Sequence, residues 1–204
     1  SLLSLFESES SEEEKAQLFD YLLMASSRLN EAIEDLNEIV DQQSGNPANI
    51  SECNINNYIE KIKQILSTDI INSNAIFKME IDDDPLVEYN PAYLESIVLN
   101  LISNVIKYRH PDRTPVISIN FEQTDKGPLL IISDNGQGVD LDKYGKSLFG
   151  MYETFHGNKD SKGIGLYITK NQVESLGGSV DVKSTVGEGT TFHILLAINE
   201  EHIA

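Results

Sequence analysis

The sequence predicts a mixed α/β domain from about residue 50 onward, preceded by one long helix. Three observations carry this. A seven-residue apolar repeat is sustained between residues 11 and 43. It stops at Ser44-Gly45-Asn46-Pro47, a helix-breaking run that reads as a hinge. Beyond it, short apolar or alternating runs of strand length are interleaved with amphipathic runs of helix length.

In the long helix, Leu18, Leu22, Ala25, Leu29, Ala32, Leu36 and Ile39 alternate by four and three, and Phe19, Ser26, Ile33 and Val40 widen that seam. Ser10 or Ser11 can cap its start, and Glu12, Glu13 and Glu14 suit the positive end of the helix dipole. One helix cannot bury so wide a stripe, so it needs partners: a short preceding helix and the same pair from a second subunit.

After the hinge, a strand at Ile50 to Cys53 leads into an amphipathic helix, Ile55 to Leu66. Strands follow at Ala75 to Ile81 and Leu86 to Tyr89. Pro91 suits the first turn of a helix reaching about Tyr108. Val116 to Phe121 and Leu129 to Ser133 read as strands. Residues 139–162 are glycine-punctuated and read as a long mobile loop, a kind usually kept for function. A helix from Ile164 to about Leu176 ends at Gly177-Gly178. Two last strands, Ser179 to Ser184 and Thr190 to Ala197, flank a turn at Gly187-Glu188-Gly189.

Bulk composition narrows the functional classes. A hydrophobic fraction of 40% and a charged fraction of 24% are those of a globular protein. No apolar run approaches the roughly 20 residues that span a bilayer, and no signal peptide is visible. The start at Ser1 without Met suggests a piece of a longer protein. The single Cys53 can form neither an internal disulfide nor a zinc site, which fits a reducing cytoplasm. A net charge of −18 argues against a nucleic-acid partner. It does not argue against a nucleotide, which backbone N–H groups, a few side chains and a metal ion can hold. The acidic runs at Glu7 to Glu14 and Asp82 to Asp84 read as solvated surface.

Four local signals carry chemistry. The first is Asn100-Leu-Ile-Ser-Asn104-Val-Ile-Lys107-Tyr108, where Asn100, Asn104 and Lys107 fall on one helix face, opposite much of the stripe of Ile97, Val98, Leu101, Ile102 and Val105. Carboxamide oxygens suit Mg²⁺ and a lysine suits phosphate; equally, such residues can simply face water. The second is an apolar strand ending in Ser133-Asp134-Asn135-Gly136-Gln137-Gly138. Its carboxylate can accept the exocyclic amine of adenine, and the glycines let backbone approach a flat base; an ordinary turn has the same letters. The third is Lys162-Gly163-Ile164-Gly165-Leu166 at a helix start, which can bind an anion. The fourth is Gly187-Glu188-Gly189-Thr190-Thr191-Phe192, a turn entering a strand, where a threonine hydroxyl can reach the base beside Asp134; a plain glycine hairpin reads alike.

In this order and spacing the four signals resemble the ATP site of the Bergerat-type superfamily: gyrase-like topoisomerases, heat-shock chaperones, mismatch-repair ATPases and histidine kinases. Residues 50–197 are most similar to the catalytic domain of bacterial sensor histidine kinases. Leu148-Phe149-Gly-Met-Tyr-Glu-Thr-Phe155-His156 resembles the phenylalanine box of the kinase ATP lid. Ser27-Arg28-Leu29-Asn30 and Asp35-Leu36-Asn37-Glu38 resemble the second helix of the dimerisation and phosphotransfer domain. The resemblance implies an α/β (α+β) two-layer sandwich of the Bergerat type, with the long helix drawn from a dimeric bundle. Residues 1–46 would be part of that bundle and 47–204 the ATP-binding domain. It also implies ATP and Mg²⁺ as cofactors. Asp134 would read adenine with Thr190 helping through water, and Asn100 and Asn104 would hold Mg²⁺. Lys107, with Tyr108 a further candidate, would contact phosphate or ribose. Gly136, Gly138, Gly163, Ile164, Gly165 and Leu166 would shape pocket and lid hinges. Lys162 would touch the phosphates, although Ser or Thr is common there in the family. The implied partners are a second copy through helix 11–43 and a response-regulator receiver domain, in the cytoplasm of a cell whose full-length kinase can be membrane-anchored.

Hydrolysing relatives carry a glutamate where Asn100 stands. An asparagine cannot act as a general base, so transfer of the γ-phosphoryl group to a protein histidine is expected, with Asn100, Asn104 and Lys107 as its catalytic residues. A departure concerns the acceptor. The family's phosphorylated histidine lies on the first bundle helix, ahead of residue 10, whereas His110, His156, His193 and His202 have no such context. The chain is therefore expected to bind ATP without phosphorylating itself in the usual way. A catalytically decayed nucleotide-binding scaffold and a serine kinase of the anti-sigma type remain as alternatives. The intact boxes stand against the first, the long helix and the lid box against the second.

Overall fold

The computed structural model describes residues 49–81, 85–145, 147–150 and 163–199, together with the helical positions Phe19, Tyr21 and Leu23, each more than half exposed. The chain divides into two compact units, Ser1–Ser44 and Gly45–Ala204. The rest of helix 11–43 lies outside the described residues, so its bundle seam is not described.

In the second unit the elements run β1 (Ser51–Asn54), α1 (Ile55–Ile65), α2 (Ser67–Ser73), β2 (Ile76–Glu80), β3 (Leu86–Tyr89), α3 (Pro91–Lys107), β4 (Val116–Thr124), β5 (Gly127–Asp134), α4 (Leu141–Tyr144), α5 (Gly165–Ser175), β6 (Ser179–Thr185) and β7 (Gly189–Leu195). Five strands form one sheet in the order β2-β4-β5-β7-β6, with β2 parallel to β4 and the other pairs antiparallel. β1 and β3 form a separate antiparallel ribbon. The helices cover one sheet face, which makes the domain a two-layer α/β sandwich.

Local chemistry explains the helix that matters most for the site. The Asn90 carboxamide accepts from the N–H groups of Ala92 (3.0 Å) and Tyr93 (3.1 Å), and Pro91 occupies the first turn without wasting a donor. Leu94, Ile97, Val98, Leu101, Ile102, Val105 and Ile106 are then buried against Ile117, Ile119, Leu130, Ile132, Phe192 and Ile194 of the sheet and Ile55, Ile59 and Ile62 of α1. Each such side chain stabilises the fold by roughly 1.5–3 kcal/mol. That packing leaves Asn100, Asn104 and Lys107 half-buried along a different side of α3.

One element was not expected, and two expectations need correction. The run Ser67–Ser73 forms a helix closed by Asn74 in the left-handed conformation (φ 54°). None of its residues is buried, so no apolar periodicity announced it. Residues 139–162 are not loop throughout. Asp140 caps the one-turn helix α4 through a bond from Lys143 N–H (3.1 Å); residues 151–162 lie outside the described residues. The hairpin β4–β5 is longer than its apolar cores, because Gly127 (φ 125°) lets the pairing continue to Thr124.

Candidate functional site

The four sequence signals converge at one end of the sandwich. Asp134 is the last residue of β5. Its Oδ1 accepts from Gly136 N–H (2.7 Å) and from Thr190 N–H (3.2 Å) on β7. Among the described residues these bonds leave Oδ2 for another donor. Burial pushes the Asp134 carboxyl above the usual carboxylate range, and the two backbone N–H bonds pull it back in part. The group is thus desolvated, oriented and held by backbone, which suits a carboxylate that reads a neutral amine donor.

The glycines around it are required by space. A Cβ on Gly136 would lie 2.7 Å from Tyr108 O and 2.8 Å from Asp134 Oδ1. On Gly138 (φ 66°) it would lie 2.0 Å from Thr185 O, and on Gly189 (φ 136°) 2.0 Å from Asp134 O. Three backbone segments therefore meet at van der Waals distance, leaving a wall without side chains that a flat base can lie against.

The threonine of the fourth signal is held beside this wall. Thr190 Oγ1 and Ser184 Oγ are 2.9 Å apart. Ser184 also accepts from Val139 N–H (2.8 Å) and donates to Gly189 O (2.9 Å). A hydroxyl has one proton, so with Ser184 giving its own to Gly189 the Thr190 hydroxyl donates to Ser184. The sequence reading missed Ser184, because only the register of β6 against β7 places it opposite Thr190. It also missed Asn135, whose carboxamide accepts from Val116 N–H (2.8 Å) and donates to Thr114 O (2.9 Å), tying the glycine loop to the start of β4.

The asparagine face joins the same place from two sides. Gln137 N–H donates to Tyr108 O (3.0 Å) and Gln137 Nε2 to Arg109 O (3.2 Å), fastening the glycine loop to the end of α3. One face-length away, Asn100 Nδ2 donates to Gly165 O (3.4 Å), bringing the start of α5 to the asparagines. A Cβ on Gly165 would stand 3.2 Å from Asn100 Oδ1. Among the described residues the first turn of α5 has no side-chain cap, so its N–H groups are open to a ligand. Gly163 has φ 71°, Ile164 is buried and Leu166 packs against the core. Lys107 Nζ lies 6.0 Å from the Tyr108 ring centroid. Lys162 lies outside the described residues, as does the lid box beyond Gly150. Of that box, Leu148 is buried and Phe149 carries Lys170 Nζ 5.5 Å from its ring.

These groups fit a purine nucleotide and a hard cation: a carboxylate with a spare oxygen, a side-chain-free wall, an uncapped helix start and two carboxamides on one face. Residues 89–200 match the family model described as histidine kinase-, DNA gyrase B- and HSP90-like ATPase. The chain belongs to this family. Within it, the chain is similar to sensor histidine kinases. It is 27% identical to the sensor histidine kinase ZraS of Escherichia coli K12 over 189 residues, which is 91% of this chain and 38% of that protein. The chain thus spans about two fifths of the length of that relative. The fold is shared with the histidine kinase AdeS of Acinetobacter baumannii (TM-score 0.67, 18% identity, 98% of this chain and 96% of that one). It is shared too with full-length ShkA in complex with AMPPNP (TM-score 0.68, 17% identity, 95% and 41%). No helix among the described residues is long and apolar enough to cross a membrane.

Proposed function

We propose that this histidine kinase ATP-binding domain binds Mg-ATP at the Asp134 end of its sandwich and passes the γ-phosphoryl group to a histidine on a bundle helix of the kinase dimer. The observation that carries it is the Asp134 carboxylate, with Oδ1 occupied by the backbone donors of the second and fourth signals and Oδ2 left over, while Tyr108 O at the end of the first signal accepts from Gln137 and Asn100 donates to Gly165 of the third. The AMPPNP bound to ShkA supports a nucleotide in this fold.

In this reading Asp134 accepts a hydrogen bond from the adenine amine, and Thr190 acts beside it through water. The backbone of Gly136 and Gly138 lies against the base. Asn100 and Asn104 would hold Mg²⁺, which when bound neutralises charge on the phosphate oxygens. Lys107 and the N–H groups opening α5 at Gly163 to Leu166 face the phosphate chain, with Tyr108 toward the ribose; Lys162 is placed with the phosphates by its spacing alone. The bond to the γ-phosphorus forms from an imidazole nitrogen as the β–γ bridging bond breaks and ADP departs. Asn100 offers no base to activate water, which favours transfer over hydrolysis. His110, whose Nδ1 accepts from Asp112 N–H (3.2 Å) in a loop, and His193 in β7 do not have the helical setting of an acceptor. We assign the acceptor elsewhere in the dimer, residues 1–46 to the helical bundle and 47–204 to the catalytic domain, and a receiver domain as the next recipient.

Calorimetry with Mg-ATP on this chain and on Asp134→Asn tests the site. In the variant the side-chain oxygen keeps both backbone bonds and the NH₂ faces the adenine amine, donor against donor. Binding by wild type and a loss of at least about 100-fold in the variant are expected. Equal binding by both would remove Asp134 as the base reader. Phosphate found on His110 or His193 after incubation with ATP would overturn the acceptor assignment.

A further inference from the structure

We propose that Arg113, an exposed residue in the loop between α3 and β4, is a positioning residue that holds the two halves of the base wall in register. The inference rests on the nucleotide-site reading above and deepens it.

The Arg113 guanidinium donates from Nη1 to Asn135 O (3.3 Å) and from Nη2 to Gly187 O. Asn135 follows Asp134 directly, and Gly187 stands three residues before Thr190. The two carbonyls belong to different segments, so one rigid planar fork spans the glycine loop after β5 and the β6–β7 turn. Packing does not fix the tip of that turn. Val186 is 63% exposed, and a Cβ on Gly187 would meet nothing within 4 Å. Arg113 forms no ion pair among the described residues. Besides the Arg113 fork, a single backbone bond, Gly187 N–H to Gln137 O (2.7 Å), joins the tip to the loop. Removing the guanidinium therefore loosens the turn tip against the glycine loop and leaves the Thr190 N–H bond to Asp134 (3.2 Å) and the Val139 N–H bond to Ser184 (2.8 Å) to hold the two halves, without opening the core.

An ammonium reaches one carbonyl where the fork reaches two. Arg113→Lys should thus keep part of the effect that Arg113→Ala removes. The test uses the full chain and displacement of a fluorescent ATP analogue by ATP, ADP and adenosine, with thermal melting alongside. For Arg113→Ala we expect a rise of about tenfold in all three dissociation constants, about threefold for Arg113→Lys, and a melting temperature within about 2 °C of wild type. A rise for ATP and ADP with adenosine unchanged would overturn the proposal in favour of simple attraction between the cation and the phosphates. So would unchanged constants, or a weakening that only accompanies a melting temperature lowered by many degrees. If wild type bound none of the three, the nucleotide-site reading would fall and this inference with it; if wild type bound and the variants matched it, the role of Arg113 alone would fall.

Discussion

The two walls of the site are built differently. On the base side, Asp134, Asn135, Gln137, Ser184, Gly187 and Thr190 are knit by bonds of 2.7–3.3 Å among three segments. Three glycines there have no room for a methyl group. On the phosphate side, α3 and α5 meet through Asn100 Nδ2 and Gly165 O at 3.4 Å, and the start of α5 is uncapped. The difference follows from what each wall meets. A base is flat and rigid, so its wall can be finished before it arrives. In the proposed reading, a phosphate chain with a metal ion would supply its own acceptors and ligands, so the groups that meet it can stay open until then.

The sharpest way to break this comparison is Gly189→Ala. Its Cβ would sit 2.0 Å from Asp134 O at φ 136°, and both partners are backbone of paired strands. We expect a loss of at least about 3 kcal/mol, read as a melting temperature lower by on the order of 10 °C, with nucleotide binding lost as well. A variant that melts with the wild type would show that the base wall yields, and the contrast would fail.

Next in size is the pH response of Asp134. Folding raises its pKa through burial, so its contribution to stability is present below the unfolded value and lost as pH rises through the folded one. The ionised form of this buried carboxylate is a cost to the fold, one that the proposed recognition of adenine would require. Asp134→Asn should therefore melt at or above the wild-type temperature at pH 7, with that advantage shrinking in acid. ATP affinity of the wild type should fall on acidification, starting at a pH above the ordinary carboxylate range. A variant less stable than wild type at pH 7 would contradict the burial argument.

Sequence alone carried the architecture of the base side in part and, on the other side, the shared face of α3, while Lys162 lies outside the described residues. The asparagine face was legible because helix geometry fixes which residues share it: once Asn90-Pro91 opened α3, Asn100, Asn104 and Lys107 had to lie together. Asp134 was legible as a carboxylate ending an apolar run. Ser184 and Arg113 were not, since the first depends on the β6–β7 register and the second on a loop meeting two carbonyls. Backbone carbonyls leave no mark in the residue letters. The same holds for α2, which buries nothing and so shows no pattern, and for the pairing of β1 with β3 rather than with the main sheet.

The smallest effect is expected at Gly165→Ala, and it tests the phosphate side directly. The new Cβ would stand 3.2 Å from Asn100 Oδ1 and 3.4 Å from its Cγ, atoms of a side chain that can turn away. Gly165 has no positive φ and begins a helix, where alanine restricts the unfolded chain and returns about 0.4–1 kcal/mol. These terms nearly cancel, so melting should change by no more than about 2 °C. The methyl group, however, occupies the approach to the helix start, and the turn of Asn100 moves a proposed metal ligand. Calorimetry should show Mg-ATP weakened by about three- to tenfold and adenosine unaffected. If Gly165→Ala instead unfolded as readily as Gly189→Ala, the phosphate wall would be as finished as the base wall. The open, ligand-completed half of the site would then be no more than an accident of weak hydrogen bonding.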